Sequence, residues 1–255
     1  MQTKVSERSL RTKVWIVSFA AAAGIILILN LGLAKGGYAY SLFADGFVSC
    51  QTFMWIFFVV GFGELYVRRQ TYVREQAAIG QGFLPEDPEI LLTAGELGPI
   101  YKRVSACDDD LFLPRVIKRA VLQFQSTKSV DQAGTVLNSS MELGMHEIDL
   151  RYNMLRYIIW IIPTLGFIGT VVGIAAGLDV AAAEFARAGA GIDLGKVVKA
   201  LGVAFYTTLL ALVMSSILVL LTQIFQCNEE EGLNKSSQYC LDHLINKLYV
   251  PNSGS

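Results

Sequence analysis

Residues 157–178 read YIIWIIPTLGFIGTVVGIAAGL, from Tyr157 to Leu178, and carry no charged side chain. A bilayer core about 30 Å thick is crossed by about 20 apolar residues of helix. In hydrocarbon every backbone N–H and C=O must be satisfied within the protein, and a helix does this by itself. The stretch therefore predicts a membrane span. Working outward, Ala200–Phe225 is a second uncharged run, and Val14–Leu33 and Gly46–Val67 precede both. Val14–Leu33 holds one polar residue of note, Asn30, and Gly46–Val67 ends in Gly61-Phe62-Gly63-Glu64. The reading is an all-α integral membrane protein with four transmembrane helices. Composition agrees, with 53% hydrophobic and 17% charged residues, against about 25% charged in soluble domains.

The charges between the runs set an orientation, because Lys and Arg near span ends mark the cytoplasmic side. Lys4, Arg8, Arg11 and Lys13 precede the first run; Arg68, Arg69 and Arg74 follow the second; Arg151 and Arg156 precede the third. The connection Ala34–Asp45 has only Lys35. The N-terminus and the segment Arg68–Arg156 are thus expected in the cytoplasm. The loop Asp179–Lys199, with Arg187, Lys196 and Lys199, adds nothing to this bias, but parity puts it outside and the C-terminal tail inside. Val14–Leu33 is longer than the roughly 7–15 residues of a signal-peptide core. Ala20–Ala23 lies inside it, so an uncleaved span is expected.

Outside the spans, Leu91–Val104 and Pro114–Phe124 read as amphipathic helices separated by Asp108-Asp109-Asp110. Gln132–Leu155 places Val136, Leu143, Met145, Ile148 and Tyr152 at helical spacing and is expected to run unbroken into the third span. Pro85-Glu86-Asp87-Pro88 is a turn signal. Gln226–Leu248 reads as one more helix and Pro251–Ser255 as a frayed end. The organisation is then an N-terminal span pair at 1–67, a cytoplasmic helical loop at 68–156, a second span pair at 157–225, and a cytoplasmic helix and tail at 226–255.

Several function classes drop out. Cys50, Cys107, Cys227 and Cys240 show no C-x-x-C pair, and neither His146 nor His243 stands in ligand spacing with them, so no zinc site or disulfide framework is expected. The net charge is −1 and no basic patch is interleaved with aromatics, so nucleic acid is not an expected partner. There is no P-loop, G-x-S-x-G or H-E-x-x-H, so no catalytic residue and no cofactor is assigned.

What remains is a pattern of small residues inside the last two spans. Gly166, Thr170, Gly173 and Gly177 share one face of the third span, with Gly169 at its edge. Ala204, Thr208, Ala211 and Ser215 repeat that spacing in the fourth, flanked by Ala200 and Thr207. Thr170 lies eight residues before Leu178 and Thr208 eight after Ala200, so each hydroxyl sits about 12 Å from the outer surface. Such stripes most often pack helices closely in lipid. Hydroxyls at one depth on neighbouring helices would form a polar ring if the subunit repeats around an axis. No ionisable group lies deep in any span, although proton relays normally need one; another chain would have to supply it. Glu64, near a boundary, is expected to pair with Arg68 one turn later.

Pro163-Thr164-Leu165-Gly166-Phe167-Ile168-Gly169-Thr170-Val171-Val172-Gly173-Ile174 closely resembles the P-x-L-G-x-x-G-T-V-x-G-[IM] signature of the MotA/TolQ/ExbB proton-channel family. Ala204-Phe205-Tyr206-Thr207-Thr208-Leu209-Leu210-Ala211-Leu212 resembles its next-helix signature A-L-x-T-T-x-x-G-L, with Ala211 in place of the usual Gly. The resemblance implies a homopentamer in the bacterial inner membrane around two copies of a single-span partner of the MotB/TolR/ExbD type. That partner carries a membrane Asp, and ion flow past it, H+ or Na+, drives rotation. The family threonines facing that Asp match Thr170 and Thr208, with Thr207 second in rank. Gly166, Gly169, Gly173, Gly177, Ala204, Ala211 and Ser215 would then allow close helix approach. Four spans with an inside N-terminus look like the MotA arrangement, whereas the motifs read closer to TolQ and ExbB. A membrane scaffold without ion conduction and a component of a secondary transporter are the alternatives.

Overall fold

The computed structural model describes residues 7–32, 43, 49–85, 87, 90–107, 110–186 and 194–250. Lys4, Lys35, Gly46, Glu86, Pro88, Asp108, Asp109, Arg187 and Pro251–Ser255 lie outside these residues. Among the described residues the α-helices are α1 (Glu7–Gly32), α2 (Cys50–Ile79), α3 (Leu97–Ser105), α4 (Phe112–Thr127), α5 (Val130–Ala186) and α6 (Leu194–His243). A 3-10 turn, Ile245–Lys247, follows α6. Among these residues there is no strand, and Leu92 and Leu248 form an isolated parallel bridge. Four of the helices, α1, α2, α5 and α6, contain stretches long and apolar enough to cross a membrane. The protein is therefore an all-α, multi-pass membrane protein.

Two compact units emerge. An apolar unit takes Arg8–Tyr66 and Asn153–Gln223; a polar unit takes Met1–Glu7, Val67–Tyr152 and Ile224–Ser255.

In the apolar unit, glycines set the spacing of helices. A Cβ at Gly63 would collide with Ser18 Oγ of α1, and one at Gly61 would meet Leu218 at 3.1 Å and Ile158 at 3.5 Å. Met54, Ile158, Ile162 and Leu218 are fully buried between the helices. Phe167, Val171, Leu178, Phe205, Leu209 and Leu220 point outward, as side chains bathed in lipid do. Spacing within α2 pairs Glu64 with Arg68. The donors to its Oε1 come instead from α1: Arg11 Nε at 2.9 Å and Trp15 Nε1 at 2.5 Å. The Arg11 guanidinium also lies 5.9 Å from the Trp15 ring centre. Glu64 is 1% exposed, so its charge is held by these donors rather than by water.

In the polar unit, α4 buries Phe112, Leu113, Val116, Ile117, Ala120, Val121 and Phe124 along one face. Its preceding residue, Leu111, has no side chain able to cap the first turn. Glu75 of α2 supplies the cap, its Oε1 accepting the Phe112 N–H at 2.8 Å, where a negative charge also suits the helix dipole. Glu75→Ala is expected to cost about 1 kcal/mol, as lost caps do, while Glu75→Gln keeps the acceptor and most of the stability. Thermal unfolding checks this, and equal melting of both variants with the wild type would show that the cap is dispensable. Lys128 closes α4 in the left-handed conformation, φ 56°, its N–H bonding to the Phe124 carbonyl at 2.8 Å.

The sequence predicts a helix from Leu91; α3 begins at Leu97. Leu92 is diverted to the bridge, its N–H reaching the Lys247 carbonyl at 2.7 Å and its carbonyl accepting from the Tyr249 N–H at 2.9 Å. The Glu96 carboxylate then accepts from the Thr93 N–H and hydroxyl, each at 2.9 Å. Those bonds hold the Glu96 carboxyl below its ordinary value. The expected run from Gln132 into the third span is continuous, as α5. The segment from Gln226 is not a separate helix but the continuation of α6. Lys247 Nζ then donates to the Pro85 and Asp87 carbonyls at 2.8 and 2.7 Å, clasping the end of the chain to the loop after α2.

Candidate ion-path site

Helices α5 and α6 meet through their smallest residues. A Cβ at Gly166 would collide with the Cβ of Ala211, one at Gly169 would lie 2.9 Å from Thr207 Oγ1, one at Gly173 2.7 Å from Ala204 Cβ, and one at Gly177 2.9 Å from Leu201. Ala204 and Ala211 are fully buried. The two stripes read from the sequence therefore face each other inside one chain.

This contact brings three hydroxyls together. Those of Thr170 and Thr208 are hydrogen-bonded to each other. Thr170 Oγ1 also lies 3.1 Å from the Gly166 carbonyl and 3.2 Å from that of Ala204. Thr208 Oγ1 lies 3.0 Å from the same Gly166 carbonyl. Thr207, which is buried, donates to the Ala204 carbonyl at 2.7 Å and lies 3.4 Å from that of Gly166. Each hydroxyl has one proton and two lone pairs. Thr170 and Thr208 thus share two protons among two carbonyls and each other, and can re-aim them without breaking the cluster. Such a group can donate to a carboxylate or turn its lone pairs toward a passing cation. Having no titratable member, it cannot itself carry a proton at neutral pH.

Beside Thr207 lies a cavity of about 520 Å³, lined by Gln51, Phe53, Gly169, Gly173 and Val203 among others. The depth match of Thr170 and Thr208 was readable by counting from span ends. The part of α2 beside them was not, because nothing in the sequence says that Cys50 comes within 3.3 Å of where a Gly169 Cβ would be.

Ser215 shows a second tie that spacing does not give. Pro163 sits inside α5 and has no N–H to give to the carbonyl of Ile159 one turn before it. Ser215 of α6 donates its hydroxyl to that carbonyl at 3.1 Å. The orphaned acceptor, which would be costly in hydrocarbon, is satisfied from the neighbouring helix. A search for proline effects would have found the acceptor but not its donor.

Comparison with known proteins locates this helix pair in a family. Searches of curated proteins and of solved structures found no match. A family model described as the MotA/TolQ/ExbB proton channel family matches residues 109–236, half of the chain. Its members are channel and transport-coupling proteins rather than enzymes, and they work with a partner subunit. The matched residues include the whole hydroxyl cluster and both of the glycine- and alanine-lined faces that hold it. The chain belongs to the MotA/TolQ/ExbB proton channel family.

Proposed function

We propose that this chain is the channel-forming subunit of an ion-driven rotary motor, five copies surrounding two copies of a single-span partner of the MotB/TolR/ExbD type. The partner contributes a membrane Asp, and Thr170 and Thr208 lend their hydroxyls to that carboxyl or to the ion passing it, with Thr207 behind them. The coupling ion is H+, with Na+ as the alternative. Val14–Leu33, Gly46–Val67, Tyr157–Leu178 and Ala200–Phe225 cross the bacterial inner membrane, and 68–156 and 226–255 lie with both termini in the cytoplasm. The observation that supports this reading is the Thr170–Thr208 pair: two hydroxyls held together between facing helices, in a family of proton channels, without an ionisable side chain in their cluster.

A packing scaffold is the competing reading, and it draws on the same bonds, since the hydroxyls are satisfied within one chain. Thr208→Val separates the two. The shape is kept and one hydroxyl is lost. A hydrogen bond to a charged group is worth about 1.5–3 kcal/mol, so ion flux should fall about tenfold or more. The measurement is ion flux into vesicles from cells making this chain and its partner, with the amount of assembled complex determined in parallel. Full flux at unchanged assembly would favour the scaffold.

A further inference from the structure

The polar unit leaves two stripes of its surface uncovered. On α5, Leu143 and Leu150 stand seven residues apart and are 45% and 55% exposed. Exposed His146 lies between them, and exposed Glu142 and Asp149 each precede one of the leucines. Apolar residues recurring every seven positions along a helix form a seam that another helix covers. On α2, Val73 is 55% exposed and is flanked by exposed Arg69 and Arg74. Among the described residues none of Glu142, Arg69 and Arg74 forms an ion pair, while Asp149 accepts a bond from Gln226 Nε2 at 3.4 Å.

One stripe is apolar and acidic, the other apolar and basic, and they are level. Tyr72 and Glu75, on either side of Val73, line the same small cavity as Gly144, Glu147 and Ile148, which surround His146 in the chain. Lipid is a poor occupant for either stripe, because both carry charges and lie outside the uncharged runs.

We propose that the two stripes are the two halves of one contact between copies of this chain, the Leu143–Leu150 face of α5 in one copy seating on the Arg69–Val73–Arg74 face of α2 in the next. This inference rests on the self-association in the proposed function and names the surface that makes it. Two different faces of opposite charge make a head-to-tail contact, which closes into a ring when the rotation between copies allows. Rotation about an axis along the helices keeps every residue at its height, so faces that are level in one copy meet in the next. Burial of the two leucines and the valine supplies attraction, and the charges reject the α5-on-α5 and α2-on-α2 pairings.

The test uses two full-length chains in which Cys50, Cys107, Cys227 and Cys240 are replaced by alanine. One carries Val73→Cys, and the other, with a different tag, carries His146→Cys. They are co-expressed and oxidised in the membrane, and the native mass of the solubilised complex is measured on the same sample. The expected result is a disulfide-linked dimer carrying both tags, at least tenfold more abundant than any dimer from either chain alone. A multi-copy complex without the mixed dimer overturns this contact and leaves self-association standing. A single-copy mass overturns self-association and the contact with it. Dimers of the His146→Cys chain alone would mean a two-fold contact and overturn the head-to-tail arrangement.

Discussion

Gly173→Ala drives α5 and α6 apart and destabilises the protein by about 1–3 kcal/mol, the usual range for overpacking. The added carbon would lie 2.7 Å from Ala204 Cβ and 2.9 Å from Ala204 Cα. Neither atom can rotate away, because one is backbone and the other is fixed to it. Gly169→Ala meets Thr207 Oγ1 at 2.9 Å, which has a rotamer to change, and the fixed Thr207 Cβ only at 3.0 Å, so its effect is smaller. Gly24 of α1 has nothing within 4 Å of its added carbon, and there alanine improves helix propensity by up to about 1 kcal/mol. Thermal unfolding in detergent ranks the three. If Gly173→Ala melts with Gly24→Ala, the close α5–α6 approach is not what holds the pair. Ion flux should fall in step, since moving the helices apart separates Thr170 from Thr208.

Arg11→Leu is expected to be worse than Glu64→Leu, although both break the same contact. Removing the arginine takes one of two donors from a carboxylate that is 1% exposed, and its other oxygen has no hydrogen-bond partner among the described residues. Leaving a buried charge short of its partner costs about 3 kcal/mol at the lower end of its range. The lower end applies because the arginine is 43% exposed and its attraction is partly screened. Removing the carboxylate instead frees Arg11 to reach water and strands only the Trp15 N–H, at about 1–3 kcal/mol. The double variant should melt near Glu64→Leu, because removing the carboxylate removes the buried charge and leaves only the Trp15 N–H stranded in both. Melting temperatures of the three variants test this ordering, and a more damaging Glu64→Leu would refute it.

Where the sequence was readable, one physical quantity dominated. Four apolar runs of bilayer length admit little besides helices, and the unbroken passage of α5 from Val130 follows from apolar positions that never lose helical phase. Thr170 and Thr208 could be matched because depth is a simple count of residues. What stayed hidden depended on partners distant in the chain. Glu75 caps a helix 37 residues later, and Arg11 meets Glu64 across 53 residues. The start of α3 was misplaced because Leu92, apolar and in phase with the helix, pairs with the far end of the chain. Local pattern records which residues want burial; it does not record which neighbour arrives.

The link from Ser215 to Ile159 joins two sites that inheritance would otherwise treat separately. A proline at 163 without a hydroxyl at 215 leaves a naked carbonyl in oil. A hydroxyl at 215 without that proline only adds a second bond to a carbonyl already served by its own helix, as its two lone pairs allow. The order of change therefore matters: the hydroxyl can arrive first, the proline is tolerated only after it, and grafting the α5 segment onto a relative means carrying Ser215 with it.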